Sequence, residues 1–213
     1  MLTLYTYFRS SAAYRVRIAL NLKGLDFKSV PVHLVRDGGE QHHPAYRDVN
    51  PAGLVPVLID DDLQVTQSLA IIEYLEACHP QPRLLPGTPG EQALIRSLAM
   101  DVACDIHPLN NLRVLQHLGQ AFGADDATKK AWVVHWITTG FAAFERRIED
   151  SAGLCCVGDH PTLADIALVP QVFNAERFGV DLKPYPTIRR VAMHCRTLDA
   201  FAHAEPAAQA DAE

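Results

Sequence analysis

The sequence predicts an α/β half followed by an all-α half, and three observations carry that reading. Short apolar runs of strand length, bounded by turn residues, occur only up to Thr66. Pro80 through Gly90 then holds four prolines and two glycines, the composition of an interdomain linker. From Glu91 onward the apolar residues recur at helical spacing. The expected division is residues 1–80, a linker at 81–90 and a helical domain at 91–213.

At 213 residues the chain can bury a sizeable core, and 48% apolar with 21% charged residues is an ordinary globular balance. The net charge of −6 argues against nucleic acid or an anionic membrane as a partner. An anionic ligand therefore requires locally concentrated arginine. No apolar run reaches the roughly 18 residues of a membrane-spanning helix, and the N-terminus lacks the basic and apolar regions of a signal peptide. The five cysteines follow no Cys-x-x-Cys spacing, so reduced thiols and a cytoplasmic location are expected. The ten histidines show no metal-ligand spacing; His42-His43 reads as a solvated loop pair, and no metal is expected.

Leu2 to Tyr7 partly alternates apolar and polar residues and reads as a first strand. Ser10-Ser11 stands at the N-cap of a helix that Gly24 closes. Such a strand–turn–helix sets hydroxyls and free backbone N–H groups at the positive end of a helix dipole, a natural seat for an anion. Arg9 adds a full charge, although an ordinary capped helix with a surface arginine would look the same. Phe27 to Val32 is a second strand, parallel to the first through a βαβ crossover. Residues 34–50 are polar and irregular, with room for one short helix. After the turn signal Asn50-Pro51-Ala52-Gly53, Leu54–Ile59 and Leu63–Thr66 form a hairpin over the Asp60-Asp61-Asp62 tip. Gln67-Ser68 opens a helix that ends before Pro80.

The order β-α-β-(α)-β-β-α is that of a thioredoxin-like domain. Arg9-Ser10-Ser11, Asn50-Pro51 with Val55-Pro56, and Gln67-Ser68-Leu69-Ala70-Ile71-Ile72-Glu73-Tyr74-Leu75-Glu76 together resemble the glutathione-binding domain of the glutathione transferase superfamily. The Arg-Ser-Ser form resembles its zeta class, home of maleylacetoacetate isomerase. The resemblance implies glutathione as cofactor, a homodimer, and a cis Val55-Pro56 peptide that turns the Val55 backbone toward the cysteinyl part of the ligand. Gln67 and Ser68, at a helix N-terminus, can receive the γ-glutamyl carboxylate, although Ser68 can equally be a simple cap. Ser10 is the residue the class implies as thiolate stabiliser, with Ser11 the alternate. Ala12 stands where zeta members commonly have cysteine, so the chemistry rests on the borrowed thiol.

In the second half, 91–118 reads as a helix bent at Pro108, and 126–148 as a long helix whose Trp132, Trp136, Phe141 and Phe144 form a core stripe. Thr162 and Asp165 make a capping box for a central helix to Phe178, which makes Asp165 structural. A last helix spans 188–201, and the Ala-rich tail from Ala202 is expected to fray. The segment Asp105-Ile106-His107-Pro108-Leu109-Asn110-Asn111 resembles bacterial zeta-class isomerases. There the resemblance puts His107 and Asn111 at the glutathione site, with His107 also facing substrate, and implies that Arg9, Arg113 and Arg177 bind substrate carboxylates. For Arg113 and Arg177 a surface ion pair is the plain alternative. Arg15 and Arg17 read as scaffold charges.

The activity implied is a glutathione-dependent cis–trans isomerisation of a small dicarboxylic oxo acid, maleylacetoacetate first. Maleylpyruvate, and transferase or dehalogenase chemistry on small halo acids, are the alternatives. A non-catalytic binding module is disfavoured because the glutathione motifs are intact.

Overall fold

The computed structural model describes residues 1–213, and four strands form one sheet. β1 (Leu2–Thr6) runs parallel to β2 (Phe27–Pro31), pairing Leu2 with Phe27, as the intervening helix requires. β3 (Val57–Asp60) lies antiparallel to β1 and to β4 (Leu63–Thr66), so the predicted hairpin is present. The third strand begins at Val57 rather than the expected Leu54, because Pro56 has no N–H to give a ladder. α1 (Ser11–Leu22) ends as anticipated: Gly24 has φ +64°, and the Leu25 N–H returns to Leu20 O at 3.0 Å. Residues 34–50 hold one α-helix, α2 (Pro44–Val49), beside short 3₁₀ turns. α3 (Ser68–Cys78) packs against α1.

Strand alternation puts Leu4 and Leu58 on one face, while Tyr5 and Val57 on the other join Tyr7, Phe8, Val32, Tyr46 and Val55 in an apolar cluster. The buried Lys23 ammonium closes the far end of α1, donating to Glu76, His79 O (2.7 Å) and Pro82 O (2.6 Å).

Close packing divides the chain into Met1–Arg83 with Leu198–Glu213, and Leu84–Thr197. The tail was expected to fray within a domain of residues 91–213. Instead α9 (Asp199–Ala202) packs on α1, and Phe201, Ala204 and Pro206 are buried. The predicted last helix accordingly breaks at Thr197, leaving α8 (Pro186–Arg196) in the second unit. Leu84 and Leu85, within the expected linker, are buried, and Leu84 O accepts the Leu163 N–H.

The second unit is helical. α7 (Leu163–Phe178) is its centre, buried over most of its length and packed by α4 (Pro89–Met100), α6 (Asp126–Ile148) and α8. The capping box forms as predicted, and the buried Asp165 carboxylate accepts the N–H groups of Thr162 (2.8 Å) and Cys156 (2.7 Å). Phe141 and Phe144 are fully buried, but Trp132 and Trp136 are only partly so. The predicted single bend at Pro108 is a longer irregularity: a π-helical turn over Asp101–Ile106, a 3₁₀ turn over His107–Asn110, then α5 (Leu112–Phe122). The wide π turn fits because Gly140 on α6 leaves room for Ile106. No helix is long and apolar enough to cross a membrane.

Candidate active site

The sheet register brings three predicted motifs to one edge. Tyr5 pairs with Val57, and Val57 with Thr66. The residues after β1, before β3 and after β4 therefore lie side by side: Arg9-Ser10-Ser11, Val55-Pro56 and Gln67-Ser68. Tyr7, Phe8 and Val55 share the apolar cluster beneath them.

Ser10 is the N-cap of α1, with φ −70° and ψ 114°, and its Oγ accepts the Ala13 N–H at 3.2 Å. Its own N–H donates to Tyr7 O at 2.9 Å. A hydroxyl that accepts one bond keeps its proton for another acceptor. Ser11, the first helical residue, is buried. No acidic residue occupies the first turn of α1, so the dipole there is uncompensated. Arg9 is exposed, its guanidinium 4.7 Å from the Phe8 ring centroid.

The Val55-Pro56 peptide is cis, as the sequence resemblance implies. Gln67 holds φ +70° and ψ 116°, an unusual conformation for a side chain of its size. No side chain caps α3 and its first turn carries no acid, which leaves its N-terminus open to an anion. Ser68 is buried, and its Oγ accepts Arg15 Nη1 at 3.3 Å. An uncapped helix end, a hydroxyl proton and a cis Val55-Pro56 turn before β3 suit the carboxylate, thiol and peptide groups of glutathione.

The second unit holds the remaining candidates. The bend is fixed against α6 by Trp132 Nε1 donating to Leu109 O at 2.8 Å, and within itself by Asn110 Nδ2 donating to Ile106 O at 3.2 Å. His107 opens the 3₁₀ turn. Asn111 is the N-cap of α5: its Oδ1 accepts the Arg113 N–H at 3.1 Å, leaving its amide donors for other use. Arg113 is exposed in the first turn of α5. Arg177 is exposed in the last turn of α7, its guanidinium 4.8 Å from the Phe178 ring centroid. His107, Asn111 and Arg113 thus share one bend, and Arg177 stands on a separate helix.

Arg15 and Arg17 are scaffold charges, as the sequence suggests, but buried ones. Both are 1% exposed, and a charged residue alternating with apolar ones on a helix gives no hint of a buried partner. Burial lowers the Arg17 pKa to about 10, so it stays cationic at neutral pH. Cys155, Asp165 and Cys195 also meet in the core, their ligand atoms within 4.8 Å of one another. There Asp165 already serves the capping box, and the hydrogen bond with Cys155 together with burial pushes the Cys195 thiol well above its usual range. A surface cavity of about 510 Å³ in the first unit, lined by residues including His33, Arg36 and Asp211, contains none of the predicted site residues.

Comparison with known proteins agrees with this geometry. Residues 4–83 match the family described as Glutathione S-transferase, N-terminal domain. A probable maleylacetoacetate isomerase of Vibrio cholerae is 53% identical over 211 residues, covering 99% of this chain and 98% of that protein. A holo structure of a bacterial zeta-class maleyl pyruvate isomerase superposes with a TM-score of 0.96 at 47% identity, covering 99% of this chain and all (100%) of that one. A maleylacetoacetate isomerase of Methylobacterium extorquens, solved with malonate and glutathione bound, superposes with a TM-score of 0.95 at 40% identity, covering 99% of each chain. This chain belongs to the glutathione transferase family, in its zeta class.

Proposed function

We propose that the chain is a glutathione-dependent cis–trans isomerase of maleyl oxo acids, acting on maleylacetoacetate to give fumarylacetoacetate. What supports this reading is the Ser10 hydroxyl, whose oxygen caps α1 on a turn that the sheet register sets at the same end of the sheet as Val55-Pro56 and the uncapped start of α3. Bound glutathione supplies a thiolate that adds to the substrate carbon β to the ketone, frees the former double bond to rotate, and leaves again. Ser10 donates its proton in a hydrogen bond to that sulfur and, with the α1 dipole, favours the ionised thiol at neutral pH. Ser11, buried behind it, shapes the same turn. Gln67, Ser68 and the first N–H groups of α3 hold the γ-glutamyl carboxylate, and the Val55 backbone at Pro56 pairs with the cysteinyl peptide.

Arg9, Arg113 and Arg177 bind the substrate carboxylates through planar guanidinium forks, His107 serves both substrate and glutathione, and the Asn111 amide serves glutathione. Fixed donors of this kind also stabilise the negative charge that develops on the substrate ketone oxygen. Five free thiols fit a reducing cytoplasm, and the class resemblance implies a homodimer, checked by light scattering.

Maleylpyruvate is the second substrate to test, supported by the likeness to the zeta-class maleyl pyruvate isomerase. Purified protein given maleylacetoacetate and glutathione forms the trans acid, and none forms when glutathione is omitted. Isomerisation at full rate without glutathione contradicts the proposal. The ratio of kcat/KM for the two acids decides between them.

A further inference from the structure

The C-terminal segment reaches the turn that carries Ser10. The Phe8 N–H, two residues before Ser10, donates to Asp211 Oδ2 at 3.0 Å, across a separation of 203 residues. The Phe8 carbonyl accepts Arg17 Nη2 at 3.0 Å. Both backbone polar groups of Phe8 are therefore held by charged side chains, one from α1 and one from the tail. Arg17 Nη1 also donates to Thr6 Oγ1 (3.0 Å) and to Tyr7 O (3.4 Å), and Arg17 Nε to Ala204 O (3.1 Å). Tyr7 O is the acceptor of the Ser10 N–H, so Arg17 grips the same carbonyl that fixes Ser10. Further along, Asn21 Nδ2 donates to Ala200 O at 3.0 Å, and Glu213 pairs with Arg36 and His33.

An arginine with almost no exposure is costly to keep charged, and it is compensated by carbonyls and by the negative Asp211 facing it. If the tail served only to cover apolar surface, Phe201, Ala204 and Pro206 would suffice. A carboxylate aimed at the backbone of the Ser10 turn is an addition that apolar covering does not call for.

We propose that Arg17 and Asp211 are positioning residues for the thiol-activating turn, and that the C-terminal segment is a built part of the glutathione site. They clasp Phe8 from both sides and thereby set where the Ser10 hydroxyl and the head of α1 point. This rests on the glutathione-site reading given above.

The test uses the full-length chain with Asp211→Ala, Asp211→Asn and Arg17→Lys. The pH at which bound glutathione ionises is read from thiolate absorbance in the ultraviolet without maleyl substrate, and kcat and both KM values are measured separately. Asp211→Ala is expected to raise the ionisation midpoint and lower kcat about tenfold, the size of one charge-assisted hydrogen bond, with the KM for the maleyl acid unchanged. Asp211→Asn, whose amide oxygen can still accept the Phe8 N–H, recovers most of the loss. Arg17→Lys, which cannot span four acceptors, behaves like Asp211→Ala. Wild-type ionisation and kcat in a folded Asp211→Ala variant overturn the proposal. Failure of the wild-type protein to bind glutathione at all overturns the site reading instead, so the two failures are told apart.

Discussion

Ser10 Oγ accepts the Ala13 N–H at 3.2 Å, so one oxygen both caps α1 and keeps a proton for a second partner. Ser11 lies buried one residue on, inside the first turn. That difference favours Ser10 for the proposed thiolate-facing role, a choice the sequence left between two neighbouring serines.

Ser10→Ala is expected to lower turnover on the order of a hundredfold, as loss of a nucleophile-activating donor does. The lost cap costs about 1 kcal/mol of stability. Steady-state kinetics and thermal unfolding on one preparation separate the two effects. A smaller turnover loss in Ser10→Ala than in Ser11→Ala would move the role to Ser11.

Gln67 holds φ +70° at the head of α3. Glycine adopts that backbone freely, so Gln67→Gly is expected to stabilise the fold by about 1 kcal/mol, raising Tm by roughly 2–4 °C. The same change removes the proposed glutathione contact and is expected to weaken affinity, as isothermal titration would record. Greater stability with unchanged affinity would leave the Gln67 side chain outside the site.

Much of the first unit was legible because its signals are local. Serine caps, turn residues and strand alternation placed β1, α1, the hairpin and the head of α3, and sheet register then gathered Arg9, Val55 and Gln67 at one edge. What sequence could not supply was long-range: Arg17 reaching Ala204, and Asp211 reaching Phe8. An alanine-rich tail carries no periodicity that announces a docking partner, and it looked like a fraying end. In the second unit Pro108 announced a bend, but the π turn before it depends on Gly140, far along the chain.

That dependence is testable. A Cβ built at Gly140 lies 2.4 Å from Ile106 Cδ1 and Cγ1. In an ordinary helix interior Gly→Ala adds about 0.5–1 kcal/mol of stability, whereas here overpacking is expected to cost about 1–3 kcal/mol. Because Ile106 precedes His107, Gly140→Ala should also raise the KM values for both the maleyl acid and glutathione. A stabilised variant with unchanged KM would show that the π turn yields freely.

Asp165 is read as structural, and its three short bonds define the expected loss. It accepts the N–H groups of Cys156 and Thr162 and the Thr162 hydroxyl. Asp165→Ala leaves buried donors without an acceptor, costing about 3 kcal/mol, or roughly 6–12 °C in Tm. Burial raises the Asp165 pKa despite those donors. A raised folded-state value means that its contribution is fully present below the unfolded-state pKa and declines as pH rises through the folded one. Denaturant titrations across that range should therefore show wild type losing stability relative to Asp165→Asn as pH rises. The opposite slope would contradict the sign.

The central claim is that the thiol is borrowed and returned. Free thiol should be counted before and after complete conversion of a large excess of maleyl acid over glutathione. Full conversion to the trans acid with the thiol count unchanged is expected, many products forming per glutathione present. Thiol disappearing in step with substrate would contradict it and make the chain a transferase.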